Sequence, residues 1–401
     1  MKVSKLLSAV TAAAMLLTFT ACGDNAGSNA DAAAANETTV TEEEHDMNTE
    51  TIYQLTEENV KLLGRTYFDG EKLYCALSGS GAEFSFNGTK CSVVVTGDSN
   101  AMSPTAADNQ ARVAIYVNGE RVVDDMVDNI QETYDVFESD TPQTAVISIV
   151  KLSESPMSTI GIKEIRATGS KIAPTPNKDI LVEFIGDSIT CGYGIDDPDK
   201  DHHFSTKTED VTKAYAYRTA EKLNADYSMV SFSGYGIISG YTNDKKVEAQ
   251  TVPQFYTKLG YSWAANGSFV PANVDWDFSK RQPDLIVINL GTNDDSYTKS
   301  DSEKQQEYCD AYVEFIKKIR ENNPDAKILC TLGIMGDRLF DYVQLAVHNY
   351  TEETGDSNIS AMKFDVQLPD DGYSADWHPS VTTHEKASDK LAAEIKSLLG
   401  I

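Results

Sequence analysis

The chain has 401 residues, of which 41% are hydrophobic and 24% are charged, a composition that is ordinary for folded globular domains and long enough for two or three of them. It carries 62 Asp and Glu residues against 34 Lys and Arg residues, which gives a formal net charge of −28. This charge excludes a broad basic surface for nucleic acid or anionic lipid and opposes polyanionic substrates, so we expect a neutral or cationic partner.

The first 22 residues have the pattern of an export signal. Lys2 and Lys5 precede an apolar run over residues 6–20 that is too short to span a bilayer as a mature helix. The small residues around Cys22 resemble a bacterial lipobox, in which that cysteine is lipidated and becomes the mature N-terminus. We therefore expect an exported lipoprotein on the extracellular face of the cell envelope, attached to the membrane only through its lipid. Plain secretion is the alternative.

Residues 23–50 follow as a predicted flexible, acidic tether. They contain Gly, Ser, Asn, a run of Ala and a Thr-Glu-Glu-Glu segment, and they show no apolar periodicity. Such a composition cannot bury enough apolar surface to fold. A tether of this kind would hold the folded part away from the membrane.

Residues 51–168 are predicted to form an all-β domain. Short alternating runs recur at 73–77, 83–86, 91–95, 112–117, 144–150 and 160–162. Turn signals separate them, notably residues 78–81, Asn87-Gly88 and Asn118-Gly119. Many short strands at this spacing indicate a β-sandwich or jelly roll.

Residues 169–178, with two prolines, are predicted to be a linker to an α/β domain over residues 179–401. Strand-like runs at 180–185, 284–290 and 326–332 alternate with helical faces at 308–319, 339–350 and 391–399. This alternation indicates a mostly parallel sheet with helices on both sides. Chemistry collects at the carboxyl ends of the strands in such sheets.

Five cysteines follow Cys22, at positions 75, 91, 191, 309 and 330. Their odd number and scattered spacing do not form a disulfide framework or a zinc motif. We expect most of them to be small buried hydrophobic residues, although Cys75 and Cys91 lie in neighbouring strand-like runs where they could pair.

Four short motifs of the α/β region carry candidate chemistry. GDS at 186–188 and GTND at 291–294 each follow a predicted strand, SFSGYG at 231–236 follows a short apolar run, and DWHP at 376–379 lies near the C-terminus. In this order they resemble the blocks of the GDSL, or SGNH, hydrolases. A serine hydroxyl needs an adjacent base near pH 7, and His378 is the histidine placed in a matching block.

The resemblance assigns a role to each block. Ser188 is expected to be the nucleophile and His378 the base that takes its proton and returns one to the leaving group. The backbone N–H groups of Ser188 and Gly234 and the side-chain amide of Asn293 are expected to bind the oxyanion.

Asp376 departs from the family spacing. SGNH triads usually place Asp three residues before the His, but that position is Ala375 here, and Asp376 lies two before. A Ser–His dyad, with a backbone carbonyl orienting His378, is therefore favoured over a triad that includes Asp376, whose alternative role is to cap the turn.

The longer motifs GDSITCGYG at 186–194 and SGYGI at 233–237, with residues 59–66 and 76–81 in the β region, resemble carbohydrate esterase family 2 over about residues 55–401. That family joins an N-terminal jelly roll to a C-terminal SGNH domain of flavodoxin-like, three-layer architecture. Its members remove acetyl groups from xylan and mannan and favour sugar 6-positions.

The expected function is thus a monomeric serine O-acetylesterase acting on acetylated plant polysaccharide, with no cofactor and no metal. A glycan-binding lipoprotein without catalysis is one alternative, and an esterase acting on another substrate such as acetylated peptidoglycan is a second. Tyr193, Tyr235, Trp276 and Trp377 lie in or near the motif loops and are candidates for stacking on sugar rings, although core packing is the ordinary role of aromatic residues. His202 and His203 lie in an acidic loop, which is expected to be solvated and not to bind metal.

Overall fold

The structure is a computed structural model, and it describes residues 47–401. The predicted signal segment, Cys22 and most of the predicted tether lie outside the described residues. None of the helices within 47–401 combines the length and apolar composition needed to cross a bilayer.

The described part of the chain contains antiparallel strands followed by alternating strands and helices. The strands of the first region are β1 (Glu50–Tyr53), β2 (Lys61–Leu63), β3 (Thr66–Phe68), β4 (Leu73–Cys75), β5 (Gly81–Thr96), β6 (Ala111–Val117), β7 (Glu120–Val127), β8 (Gln131–Lys151), β9 (Ile160–Gly169) and β10 (Ala173–Pro174). The second region contains β11 (Leu181–Gly186), α1 (Ser188–Cys191), α2 (Tyr215–Lys222), β12 (Asp226–Ser231), β13 (Leu285–Asn289), α3 (Thr292–Thr298), α4 (Ser302–Asn322), β14 (Lys327–Ile334), α5 (Phe340–Thr354), β15 (Ile359–Val366), β16 (Tyr373–Ser374), β17 (His378–Pro379) and α6 (Val381–Leu399).

The first region is one antiparallel sheet of ten strands, and it confirms the predicted all-β class. The order is β3-β4-β9-β5-β8-β6-β7, with β2 and β10 also paired to β5 and β1 paired to β9. Alternate side chains of β5, β8 and β9 enclose an apolar core, which includes Phe84, Val93, Ile147 and Ile165. The predicted Asn118-Gly119 turn joins β6 to β7, and both residues have the positive φ that a tight hairpin needs.

The predicted turn at Asn87-Gly88 is instead a bulge inside β5. The pairing register of β5 with β9 shifts between Gly88 and Lys90. A Cβ on Gly88 would lie 2.2 Å from the carbonyl oxygen of Thr168, so this close approach of two backbones requires glycine. The glycine therefore allows one long strand to bend where the sequence indicates a chain reversal.

The second region confirms the predicted α/β class. Its five-stranded sheet has the order β12-β11-β13-β14-β15, and every neighbouring pair is parallel. This is the doubly wound arrangement in which the strand order reverses between β11 and β13. One face packs on α4 and α5 and the other on α2 and α6, so apolar side chains cover both sides. The crevice at the carboxyl ends of β11 and β13 is where this fold places its chemistry.

Buried ion pairs tie the two regions together. Arg65 of the β region donates three hydrogen bonds to Glu183 of β11, and the Lys61 ammonium lies 2.5 Å from the Asp226 carboxylate at the start of β12. The predicted linker is held as well, because β10 within it pairs with β5. Separating the two regions, or removing one partner, would leave a buried charge without its counterion, which is strongly destabilising. These pairs therefore hold the two regions in contact.

The cysteines at 75, 91, 191, 309 and 330 are all buried and free, so Cys75 and Cys91 do not pair.

Candidate active site

Ser188 lies at the turn between β11 and α1. The Asp187 carboxylate caps that helix by accepting a hydrogen bond from the Ile189 N–H at 3.0 Å. The turn is tight, because a Cβ on Gly186 would lie 2.0 Å from the Thr190 hydroxyl oxygen. The end of β11 and the Asp187 cap together set the position of the Ser188 backbone, from which the hydroxyl extends.

The Ser188 hydroxyl and the His378 imidazole are hydrogen-bonded. The hydroxyl donates to Nε2 of His378 across 2.9 Å, and Nδ1–H of the same ring donates to the Ala375 carbonyl oxygen at 3.2 Å. This pattern leaves Nε2 as the acceptor, which is the tautomer a general base requires. Burial lowers the pKa of His378 to about 4, so the imidazole is neutral near pH 7.

An unusual backbone conformation brings the Ala375 carbonyl to the imidazole. Asp376 and Trp377 have φ values of +51° and +64°, in the left-handed region that residues other than glycine seldom adopt. The pairing of β16 with β17 closes this segment into a small hairpin, in which Ser374 lies opposite His378. Such local strain is frequent at functional sites.

The Asp376 carboxylate does not contact His378. Its oxygens accept hydrogen bonds from the Tyr193 hydroxyl at 2.7 Å and the Phe204 N–H at 3.0 Å, and one lies 2.9 Å from Nδ1 of His203. Burial alone would raise the pKa of Asp376, but these contacts hold it below its ordinary value. In a triad the acid accepts the hydrogen bond from Nδ1 of the histidine, and here the Ala375 carbonyl is that acceptor. The geometry therefore agrees with the dyad and not with Asp376 as triad acid.

Tyr193 lies against the imidazole. Its ring stacks on His378 with centroids 3.9 Å apart and on Phe204 at 4.5 Å. The Tyr193 hydroxyl is the group that Asp376 holds. The imidazole therefore covers one face of this ring, and the expectation that Tyr193 stacks on a sugar stays a prediction.

The loops that carry the expected oxyanion donors meet beside Ser188. The Phe232 N–H donates to the Gly186 carbonyl, and the Asn293 side-chain amide donates to the Tyr235 carbonyl at 2.9 Å. Gly234 has a φ of +80° and no atom within 4 Å of an added Cβ, so its backbone lies on an open side of the loop. The structure thus brings the Ser188, Gly234 and Asn293 loops together, and their role as oxyanion donors stays a prediction.

Two buried carboxylates brace these loops. Asp294 accepts hydrogen bonds from three successive N–H groups at residues 237–239, and burial raises its pKa to about 6. Burial likewise raises the pKa of Asp187 to about 7. Neither carboxylate is hydrogen-bonded to the Ser188 hydroxyl or to His378, so both hold the loops in place.

Two of the four expected sugar-stacking residues lie elsewhere. Tyr235 is 2% exposed and packs on Phe232 and Phe255, so it belongs to the core. Trp276 lines a cavity of about 400 Å³ beside Asp226, at the amino end of the sheet. The chain must return to that end before β13 can run parallel to β11, which places Trp276 opposite the Ser188 crevice.

Two exposed aromatic residues adjoin site residues, one along the chain and the other through a backbone hydrogen bond. Trp377 directly precedes His378 and is 51% exposed. Tyr241, which the sequence analysis missed, is 59% exposed, and its N–H donates to the Gly234 carbonyl at 2.8 Å. No motif marks Tyr241, since its position depends on the loop after β12 folding back on itself.

The histidines of the acidic loop bond to carboxylates. His202 lies 2.9 Å from Asp197, and His203 lies 2.9 Å from Asp376. Within residues 47–401, the one group of side chains with ligand-type atoms close enough to share a metal ion is Glu154, Cys191 and Glu209, whose atoms lie within 4.8 Å of one another. None of these three is among the expected site residues, and the expectation of a metal-free, cofactor-free enzyme stays a prediction.

Two family models match this chain. One is described as the GDSL-like Lipase/Acylhydrolase family and matches residues 184–386. The other is described as Carbohydrate esterase 2 N-terminal and matches residues 62–176. The two matches cover the parallel-sheet region and the antiparallel region respectively.

Individual proteins are similar over most of the chain. Cellulase/esterase CelE of Acetivibrio thermocellus is 32% identical over 332 residues, which are 81% of this chain but 38% of that protein, so this chain spans well under half of that relative. An acetylxylan esterase / glucomannan deacetylase of Cellvibrio japonicus is 25% identical over 85% of this chain and 89% of its own length. The solved structure of a family two carbohydrate esterase from Clostridium thermocellum, in complex with cellohexaose, is 30% identical, with a TM-score of 0.74, and the match covers 85% of this chain and 99% of that one.

Proposed function

Since this chain belongs to carbohydrate esterase family 2, we propose that it is a serine esterase that removes O-acetyl groups from a neutral polysaccharide of the xylan or mannan type. The observation that carries the proposal is the hydrogen bond from the Ser188 hydroxyl to Nε2 of His378, with Nδ1 held by the Ala375 carbonyl. The relatives named as acetylxylan esterase / glucomannan deacetylase support the substrate class.

The acyl-transfer half of the reaction uses this pair. His378 takes the Ser188 proton as Oγ attacks the acetyl carbonyl carbon, and the carbonyl oxygen becomes negatively charged. The N–H groups of Ser188 and Gly234 and the Asn293 amide stabilise that charge; losing one such donor costs about 3–4 kcal/mol. His378 then gives its proton to the leaving sugar oxygen. Water, activated by the same imidazole, releases acetate from Ser188.

The orientation of the imidazole needs no carboxylate in this proposal. The Ala375 carbonyl accepts from Nδ1 at 3.2 Å, and the Tyr193 ring stacks on the imidazole. When His378 becomes a cation, the carbonyl dipole and the aromatic face both favour its charge. The enzyme therefore works as a Ser–His dyad, with Asp376 acting on Tyr193.

The sugar chain is placed by the exposed aromatic residues. Trp377 and Tyr241 are each more than half exposed and adjoin His378 and Gly234, so pyranose faces can stack on them while an acetyl group reaches Ser188. The acidic surface, with a net charge of −28, repels polyanionic glycans and leaves neutral ones free to approach.

Product NMR on acetylated xylan, acetylated glucomannan and acetylated peptidoglycan, incubated side by side, tests the proposal. We expect acetate release from the plant polysaccharides and none with Ser188→Ala, whose thermal unfolding should stay nearly unchanged. The spectra also identify the hydroxyl that is deacetylated. Release from peptidoglycan alone would support the other-substrate reading, and glycan binding without acetate release would support a non-catalytic lipoprotein.

We also propose that Cys22 anchors the protein to the outer face of the cell envelope through a lipid. The support is the apolar run at residues 6–20 followed by small residues around this cysteine. Labelling with a tagged palmitate analogue should mark the wild-type protein but not Cys22→Ser. Equal labelling of both, or a wild-type protein found only in the medium, would contradict the anchor.

A further inference from the structure

One side chain of the β region reaches the loop that carries Gly234. Glu154 follows the end of β8 and is fully buried. Its Oε2 accepts a hydrogen bond from the backbone N–H of Ser233 at 2.7 Å. Ser233 directly precedes Gly234, so this carboxylate is bonded to the loop that presents an expected oxyanion donor.

The same carboxylate adjoins the helix of the nucleophile. Its Oε2 lies 4.0 Å from the Cys191 sulfur, on α1, and that sulfur lies 3.2 Å from the Ser231 hydroxyl oxygen. The Glu154 backbone N–H donates to Glu209 at 2.9 Å, on the segment that precedes α2. Glu154, which belongs to the β region, thus lies between α1 and the loop after β12.

The surroundings explain how an acidic side chain can remain there. The Glu209 carboxyl is also fully buried, and Oε1 of both acids has no hydrogen-bond partner. The Lys151 ammonium faces the pair but bonds to the carbonyls of Ser153 and Glu154, not to the carboxylates. Burial raises the pKa of both acids, and the neighbouring Glu154 charge raises that of Glu209 further.

We propose that Glu154 is a positioning residue for the oxyanion hole, which fixes the Gly234 loop through the Ser233 N–H and stays buried there beside Glu209. Gly234 has a positive φ and no side chain to hold it, so its N–H direction depends on the bonds of its neighbours. The β region is then part of the catalytic unit. The test of this inference by kcat rests on the proposed esterase activity. The test by hydrogen exchange of the Gly234 loop does not.

Two substitutions of similar size test whether the loop needs the Glu154 oxygen that accepts from the Ser233 N–H. Glu154→Gln keeps an oxygen for the Ser233 N–H and has the shape of a protonated carboxyl group, whereas Glu154→Met fills the same space without an acceptor. Glu154→Asp keeps the charge but draws its oxygens back by one methylene, so it gives a second test should the Met variant fail to fold.

Asp226→Ala is the matched control. Asp226 is also a buried acid at the contact between the two regions and accepts a backbone N–H, that of Lys178, at 2.9 Å. It lies at the opposite end of β12 from Ser233. Loss of stability without loss of the oxyanion geometry is therefore expected for this variant.

The measurements are kcat and KM for 4-nitrophenyl acetate, and amide hydrogen exchange of the peptide that spans residues 231–236. Removing an oxyanion donor costs about 10²–10³ in kcat, so a displaced donor in Glu154→Met or Glu154→Asp should cost about tenfold to a hundredfold, with KM within about threefold. Glu154→Gln should remain within about fivefold of wild type. Exchange at 231–236 should rise in the Met and Asp variants and not in Asp226→Ala.

Unchanged exchange at 231–236 in folded Glu154→Met or Glu154→Asp would overturn the proposal whatever the activity shows. So would kcat within threefold of wild type in those variants, or an equal loss in Asp226→Ala. A wild-type protein no more active than Ser188→Ala would refute the esterase function, a result separate from the exchange data.

Discussion

Replacing Asp376 with Asn separates a Ser–His dyad from a triad. The substitution removes the negative charge but keeps an oxygen that can accept from the Tyr193 hydroxyl, now 2.7 Å away, and keeps a residue type that tolerates the φ of +51°. It leaves the contact of His378 with the Ala375 carbonyl untouched, because that acceptor is backbone.

The triad and the dyad predict losses of turnover in Asp376→Asn that differ by orders of magnitude. In a triad, the equivalent Asp→Asn change lowers turnover about 10⁴-fold, or roughly 5.4 kcal/mol of transition-state stabilisation at 1.36 kcal/mol per tenfold. In this structure the Asp376 carboxylate is hydrogen-bonded to Tyr193 and not to His378, whose pKa its charge raises less than burial lowers it, so we expect Asp376→Asn to stay within about threefold of wild type. Asp376→Ala also loses the acceptor of the Phe204 N–H and the tolerance for positive φ, and should cost about tenfold, or roughly 1.4 kcal/mol.

The assay is the turnover number on an acetylated sugar, with Ser188→Ala measured beside both variants and the fold checked by circular dichroism. A thousandfold or greater loss in Asp376→Asn, with the fold intact, would refute the dyad. It would mean that the carboxylate replaces the Ala375 carbonyl as the partner of Nδ1 when substrate is bound.

Three further outcomes are expected. His378 acts as a base only when neutral, so kcat/KM should fall as the pH drops toward its pKa of about 4 and should be level above about pH 5.5; an inflection near 6.5 would contradict the burial effect. Trp377→Ala should raise KM for acetylated polysaccharide about threefold to tenfold and leave 4-nitrophenyl acetate hydrolysis unchanged, and equal effects on both substrates would argue against a sugar platform. Activity should survive exhaustive EDTA treatment; a loss restored by Zn²⁺ or Ca²⁺ would show that His202 and His203, or the buried group at Glu154, hold a needed ion.

Local patterns made the architecture predictable. Alternation with a period of two marked the strands of the β region, and buried runs such as 284–290 marked strands of the parallel sheet, because burial on both faces removes polar residues. The weakest elements were missed: β15 is an edge strand with charged and exposed residues, so its sequence carries no apolar run. The Asn87-Gly88 pair shows the limit of turn signals, since the same glycine serves a turn or a bulge.

The sequence by itself determined the two fold classes through its hydrophobic periodicity, and the resemblance of its short motifs to the SGNH blocks predicted that Ser188 and His378 act together. Only the tertiary structure decided the environment of those residues. Whether Asp376 faces His378 or Tyr193 depends on two positive φ angles, and whether an aromatic ring such as Tyr235 is exposed depends on how a loop folds back. The contact of Glu154 with the Ser233 N–H joins residues 79 positions apart that follow strands of two different sheets. Such long-range contacts are set by the packing of whole layers, which leaves no local trace in the residues that meet.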